Sequence, residues 1–184
     1  KRLRSADIAI FSPPYPNSFD YTDVYNLELW MLGYLTSAAT NRTLRHQTLQ
    51  SHVQVKWPER KFLLCSPTLD ETTKALEAQR SKLWNKNIPE MVVGYFNDLN
   101  EVLRGLSSII SLGHHVVAAV GDSQYANVKI DVPKILSEIA HLSGFEIEES
   151  SAIRSMRSSA QHGGGFDLTE SAIRFRRTER PTLT

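Results

Sequence analysis

The sequence has a single cysteine, Cys65, among its 184 residues. One cysteine excludes an internal disulfide and a metal cluster built on several cysteines, and it is typical of proteins from a reducing compartment. No apolar run approaches the roughly 20 residues that a membrane span needs, and no apolar signal core follows the first residues. We therefore expect a cytoplasmic protein with no membrane partner.

The chain also lacks a marked net charge, since its formal charge is +1. Overall charge therefore does not indicate a nucleic-acid-binding protein, but local charge is uneven. Residues 42–61 hold five basic side chains and one acidic one, and residues 154–180 hold six arginines and three acidic residues. Two basic segments favour contact with a phosphate backbone, although an ordinary solvated surface explains either segment alone. Candidate phosphate contacts in the first segment are Arg42, Arg45 and Lys56.

The first third of the chain predicts a strand, a helix and a long insertion. The apolar run of residues 7–11 is typical of a buried strand, and two prolines end it. Asp20 is placed to cap a helix whose apolar face has helical spacing and comprises Val24, Leu27, Trp30, Met31 and Tyr34. Residues 36–62 lose periodicity, which predicts an insertion or target-facing loop, with a short strand at residues 52–56.

The remainder predicts alternating helices and strands. Helices are expected from Thr68 or Asp70 to about residue 84, from Pro89 to residue 110 with Gly113 as the stop, and over residues 132–142. Strands are expected at residues 115–120, 145–153 and 172–176. This order predicts an α/β fold with a mostly parallel sheet. The last two strands have no helix between them, so we expect them to pair antiparallel at an edge.

The tetrapeptide Ser12-Pro13-Pro14-Tyr15 stands where the first strand ends, which is where ligands of open α/β sheets bind. The alternative is a proline-stiffened loop with a packing tyrosine. A strand followed by this tetrapeptide resembles the catalytic motif of the S-adenosylmethionine-dependent DNA amino-methyltransferases. Residues 12–34, which include an Asn, a DYT segment and a Leu-Glu-Leu helix, resemble one branch of that family. The resemblance implies a class I, doubly wound methyltransferase sheet.

The resemblance also implies a reaction, namely methyl transfer from S-adenosylmethionine to an exocyclic amine, N4 of cytosine or N6 of adenine, in a flipped-out base of DNA. The amine lone pair is delocalised into the ring, so acceptors aimed at the amine hydrogens raise its nucleophilicity. Ser12 and the Pro13 carbonyl are the candidate acceptors, Pro14 stiffens the turn, and Tyr15 offers a stacking surface. Methylation at cytosine C5 needs a cysteine nucleophile, and nothing around Cys65 marks it as one.

Further candidates for the base pocket are Asn17, Asp20 and Tyr21, which closely follow the motif, and Asp122, which ends the central strand. Asp20 as a simple helix cap is an equal alternative, and an ordinary turn aspartate is the favoured interpretation of Asp122. The adjacent His114 and His115 point apart on a strand and have no third ligand spaced to join them, so no metal site is expected.

A cofactor site is missing from the pattern. The family has a glycine-rich turn after its first strand and an acidic residue that ends the next, and neither is found in residues 1–184. The run of residues 163–165 lacks the flanking strand and helix that a nucleotide loop needs. The chain begins at Lys1 rather than Met, so we expect a single partial catalytic domain whose cofactor half comes from a missing segment or second chain. A non-catalytic nucleic-acid-binding subunit and an RNA or protein amino-methyltransferase remain alternatives.

Overall fold

The computed structural model describes residues 5–57, 66–156 and 167–179. The elements in chain order are β1 (Ala6–Phe11), α1 (Tyr21–Val24), α2 (Asn26–Met31), α3 (Ala38–His46), α4 (Pro67–Ala78), α5 (Ile88–Ser107), β2 (Ile110–Gly121), β3 (Ser123–Tyr125), β4 (Val128–Ile130), α6 (Val132–Leu142), β5 (Phe145–Met156) and β6 (Leu168–Arg177). Within these ranges no helix is long and apolar enough to cross a membrane.

Four strands form the main sheet in the order β1-β2-β6-β5, and β3 pairs with β4 in a separate hairpin. β1 and β2 are parallel, whereas β6 is antiparallel to both β2 and β5. Three strands therefore run in one direction and β6 runs against them. The predicted α/β fold and the antiparallel pairing of the last two strands are confirmed. Among the described strands only one of the three pairings is parallel, so this part of the sheet is less parallel than expected.

One face of this sheet carries the core. Alternate residues of β2 and β6 are fully buried there, and they pack with the apolar faces of α4, α5 and α6; the strand residues are Val116, Ala118, Val120, Ile173 and Phe175. The other face is open among the described residues. Ile8 and Ile10 of β1 point to it and are 53% and 72% exposed. β1 is also an edge strand, so its outer hydrogen-bonding groups have no described strand beside them.

Local capping explains why the helices on the core face begin where they do. α6 begins after Asp131, whose side chain accepts a hydrogen bond from the Lys134 amide, and its predicted span is confirmed. α4 begins after Ser66, which accepts from the Leu69 amide. Glu138 of α6 completes that cap by accepting from the Ser66 and Thr68 hydroxyls, each at 2.5 Å, and from the Thr68 amide at 3.1 Å.

The predicted stop of α5 at Gly113 is wrong. α5 ends at Ser107 and β2 already begins at Ile110, so Gly113 lies inside a strand. Its φ is +80°, a backbone conformation that glycine adopts at little energetic cost. The position coincides with a register shift between β1 and β2, which identifies this glycine as part of a strand irregularity rather than a helix terminator.

The apolar face predicted for the helix after Asp20 forms but is not buried. The segment splits into α1 and α2 at Tyr25. Nine large apolar side chains of residues 19–34 are between 41% and 79% exposed, and they are Phe19, Tyr21, Val24, Tyr25, Leu27, Trp30, Met31, Leu32 and Tyr34. Such a large exposed apolar surface is typical of an interaction site.

Residues 36–62 were expected to lack regular structure, but α3 forms within them. Ser37 and Thr40 make a capping box at its start, in which each side chain accepts from the other residue's backbone amide. No strand forms over residues 52–56. Residues 58–65, and with them Cys65, lie outside the described part of the chain, as do residues 163–165.

Candidate functional site

The Ser12–Tyr15 motif follows β1 directly, and two hydrogen bonds from other parts of the chain hold the loop that contains it. The Tyr125 hydroxyl of β3 donates to the Pro16 carbonyl at 3.0 Å. The Ser18 amide donates to the Ser51 carbonyl at 3.0 Å, and Ser18 itself has a φ of 60°. These contacts hold a proline-rich turn at the carboxyl end of β1, with Ser12 exposed to solvent.

Asn17 shapes the same loop from within. Its side-chain oxygen accepts a hydrogen bond from the Phe19 amide at 3.2 Å, and its own amide donates to the Tyr15 carbonyl at 2.8 Å. Tyr21 follows on α1 with its ring packed edge-on to Phe19. Tyr21 is 47% exposed.

Tyr15 is folded onto the sheet at the carboxyl end of β2. A Cβ at Gly121 would lie 2.7 Å from Cε2 of the Tyr15 ring and 2.9 Å from Sδ of Met156. Only glycine at position 121 therefore leaves room for the ring in this place. The ring is half-buried, and its hydroxyl donates a hydrogen bond to Glu170 of β6.

The hydroxyl of Tyr15 is held in its protonated form. Burial and the hydrogen bond to Glu170 raise the pKa of Tyr15 to about 12, while the nearby Ser12 hydroxyl acts in the opposite direction. Glu170 is also bound by Arg154, and the hydrogen bonds from Tyr15 and Arg154 lower the pKa of its carboxyl. At neutral pH the contact therefore joins a neutral donor to a charged acceptor, which is the stronger kind of hydrogen bond.

Asp20 and Arg45 make a structural contact with each other. The buried Asp20 carboxylate caps α1 by accepting from the Thr22 amide at 2.9 Å. Its other oxygen lies 2.7 Å from Nε of Arg45 on α3, whose terminal nitrogen lies 3.1 Å from Asp23. The predicted cap is confirmed. The predicted contacts of Asp20 with a base and of Arg45 with a phosphate have no support from this geometry, because each group is engaged by the other.

Asp122 directly follows Gly121 and is buried, with 3% of its surface exposed. One carboxylate oxygen accepts from the Thr169 amide and hydroxyl and lies 2.9 Å from Nζ of Lys129. Its other oxygen, the Ser123 hydroxyl and both polar side-chain atoms of Gln124 are buried without a hydrogen-bond partner among the described residues. Buried polar groups are normally satisfied, so this turn is suited to a water or ligand.

The two basic segments differ in how their charges are used. Arg42 is exposed on α3, Lys56 is exposed beyond it, and neither has an ion-pair partner within the described ranges. The described arginines of the second segment are engaged by protein groups. Arg154, Arg174 and Arg176 pair with glutamates on neighbouring strands, and Arg177 donates to the carbonyls of Ser107 and Gly144. The second segment is thus largely neutralised where it is described.

The described residues hold no group of three metal-binding side chains, and His114 and His115 contact Asp7 and Glu148 instead. The described residues also fit S-adenosylmethionine poorly. The described glycines occur singly, and none of them lies in a loop that joins a strand to the following helix. Gly121, at the end of a strand, is covered by the Tyr15 ring. The described ranges therefore supply no glycine cradle for a nucleotide-like cofactor.

Sequence reasoning missed four residues that complete the site, namely Gly121, Arg154, Met156 and Glu170. Gly121 and Arg154 both lie opposite Glu170, in β2 and β5 respectively. No sequence signal links these positions to the motif, because cross-strand neighbours are set by register and not by spacing along the chain.

Comparison with known proteins relates most of the chain to one class of enzyme. It is 33% identical over 153 residues to the type II methyltransferase M.AvaI of Nostoc sp. and to that of Anabaena variabilis, which covers 78% of the chain. It is 28% identical over 159 residues to the type II methyltransferase M.BsoBI of Geobacillus stearothermophilus. In each case the matched segment is 31% of the relative's length. No protein-family model matches the chain.

Proposed function

We propose that the chain is part of a site-specific DNA methyltransferase that modifies an exocyclic amine, N4 of cytosine or N6 of adenine. The similarity to type II methyltransferases over 78% of the chain supports the enzyme class. The amino type rests on one observation, which is the Ser12–Tyr15 turn at the carboxyl ends of β1 and β2, where ligands of α/β sheets bind. Ser12 is exposed there and Tyr15 is half-buried.

The acceptor side of the reaction follows from these residues. A flipped-out base stacks on the Tyr15 ring. The Ser12 hydroxyl and the Pro13 carbonyl accept hydrogen bonds from the amine, which favours a more tetrahedral nitrogen and stabilises positive charge that develops on it. Serine is a weaker acceptor than a carboxylate, but it is an acceptor all the same. Pro14 contributes by limiting the conformations of the turn.

The methyl donor in this proposal is S-adenosylmethionine, whose sulfonium group is a good leaving group. Because the described residues lack a glycine cradle, we assign its binding to a further segment or a second chain. The open edge of β1 and the exposed Ile8 and Ile10 support this assignment, since a doubly wound sheet has strands and helices on both sides. The relatives are about three times as long as the segment that they share with this chain.

The DNA backbone contacts in the proposal are Arg42 and Lys56. Both are exposed and have no ion-pair partner within the described ranges, so their charges are available to phosphates. Arg45 is excluded from this set because its guanidinium is engaged by Asp20 and Asp23.

A radiolabelled methyl-transfer assay with the complete protein tests the proposal on DNA, RNA and protein substrates. We expect label in DNA, at N4 of cytosine or N6 of adenine. Ser12→Ala and Tyr15→Ala should each lower turnover by about 10²-fold or more, as does the removal of a comparable stabilising donor, while leaving the fold intact. Ser108→Ala is the matched control, because Ser108 is exposed and its hydroxyl donates to the Gly105 carbonyl at the end of its own helix.

The outcomes separate the alternatives. Label in RNA or protein alone would assign a different substrate to the same chemistry. Specific DNA binding without any transfer, together with no binding of S-adenosylmethionine in calorimetry, would identify a non-catalytic binding subunit. Wild-type turnover in both motif variants would remove Ser12 and Tyr15 from the mechanism. Tight binding of S-adenosylmethionine by residues 1–184 alone would contradict the assignment of the cofactor site to another segment.

A further inference from the structure

The contact between Tyr15 and Glu170 is built by three neighbouring strands. In the sheet register Gly121 of β2 lies opposite Glu170 of β6, and Glu170 lies opposite Arg154 of β5. Directly opposed residues project from the same face of a sheet. Gly121 leaves space above this face, Glu170 supplies an acceptor beside that space, and Arg154 supplies the counter-charge. The Tyr15 ring occupies the space.

Both ends of the Tyr15 side chain are constrained by this arrangement. The ring packs on Gly121 and Met156, and the hydroxyl donates to one oxygen of Glu170. The other oxygen of Glu170 is bound by Nε of Arg154. A tyrosine has two side-chain dihedral angles, so contact at the ring and at the hydroxyl leaves no free rotation. The carboxylate is itself directed by Arg154, whose own side chain is 68% exposed.

We infer that Glu170 is the positioning residue that orients the Tyr15 ring for the flipped-out base, with Arg154 directing the Glu170 carboxylate. This inference rests on the proposed function, because the orientation of the Tyr15 ring matters for catalysis only where a base stacks on it. Stacking depends on the plane of the ring, and a displacement of about 1 Å at a reacting group is enough to cost on the order of 10²-fold in rate. Glu170 acts through Tyr15 and does not itself contact the base.

The first test measures the contact without any activity. With tyrosines labelled at Cζ, the Tyr15 resonance is assigned by its loss in Tyr15→Phe and is then titrated. We expect the pKa of about 12 in the wild type to fall in Glu170→Gln, which removes the neighbouring negative charge. Burial remains, so the pKa should stay above its ordinary value. Glu149→Ala is the matched control, because Glu149 forms a cross-strand pair with Arg174 and contacts no tyrosine in the described ranges.

The second test is a double-mutant cycle on methyl transfer by the complete protein. Tyr15→Phe and Glu170→Ala should each lower kcat by about 10-fold, and the double variant should be no slower than the slower single variant. Glu170→Gln should recover part of the rate, since an amide oxygen still accepts the hydroxyl. A residue with a merely structural role would give independent losses that multiply and no rescue by glutamine.

The two tests fail differently. An unshifted Tyr15 titration in Glu170→Gln would overturn the inference, and so would multiplicative losses in the cycle. A shifted titration together with full turnover in Tyr15→Ala would instead refute the role of Tyr15 under the proposed function and leave the contact itself established.

Discussion

Gly121→Ala is the substitution that tests the placement of Tyr15 most directly. The added methyl would lie 2.7 Å and 2.8 Å from two ring carbons of Tyr15 and 2.9 Å from Sδ of Met156. Ordinary contacts between such atoms are about 3.5–4.0 Å. Met156 is flexible enough to yield, but the Tyr15 ring is held by Glu170. The Tyr15 ring must therefore either stay in place in an overpacked contact or move away from Gly121.

Both responses weaken the fold by a similar amount. Overpacking with the ring in place costs about 1–3 kcal/mol, and displacement of the ring forfeits a hydrogen bond to a charged group, which is about 1.5–3 kcal/mol when well buried. Since Tyr15 is only half-buried, the lower part of that range applies to the second response. We expect the free energy of unfolding to fall by about 1–2 kcal/mol, measured by urea denaturation with an unchanged m-value.

Gly105→Ala is the matched control with the opposite sign. Gly105 lies in α5, and a Cβ there meets nothing within 4 Å, so alanine should raise the free energy of unfolding by about 0.5–1 kcal/mol. In a Tyr15→Ala background the cost of Gly121→Ala should fall to about 0.5 kcal/mol or less, because the ring that it meets is gone. An equal cost in both backgrounds would refute the packing of Tyr15 on Gly121.

Two more predictions concern acid stability and DNA binding. Burial alone would raise the pKa of Glu138, but hydrogen bonds from the first turn of α4 hold it below its usual value; its stabilising effect is therefore present above a pH of about 4.5 and is lost as the pH falls through the folded-state pKa. Glu138→Gln should cost about 1–2 kcal/mol at pH 7 and less at pH 3 in urea titrations, and an equal cost at both would contradict this reasoning. For DNA, neutralising Arg42 and Lys56 together should reduce the salt slope of the binding constant by about 2, whereas Arg45→Gln should leave the slope unchanged; the reverse result would move the phosphate contact to Arg45.

The elements that sequence reasoning located well are those determined by local signals. α6 has its cap at Asp131, a proline in its first turn and a continuous apolar stripe, so its bounds follow from residues 131–142 alone. β1 ends where two prolines follow. In contrast, α3 has little apolar periodicity and depends on the capping box of Ser37 and on the Arg45 ion pair. Gly113 was misread because a glycine with positive φ serves equally in a helix terminus and in a strand irregularity.

The sequence predicted only the part of the candidate site whose residues are contiguous along the chain. The tetrapeptide and its position at a strand end are local facts, whereas the support of Tyr15 comes from β2, β5 and β6 through their register. Glu170 is 155 residues away along the chain, and a shift of one residue in pairing would turn it to the other face. The exposure of the α1–α2 surface was missed for a related reason, since an amphipathic pattern predicts an apolar face but not what covers it.

The cap that Glu138 places on α4 has a consequence for the order of folding. Ser66 and Glu138 are 72 residues apart, so the first turn of α4 is completed only after a long loop has closed. We expect α4 to be a late element, and the Thr68 and Leu69 amides to exchange with solvent only through openings that separate α4 from α6. These two helices should then behave as one cooperative unit in native-state hydrogen exchange, and Glu138→Gln should uncouple the first turn of α4 from it.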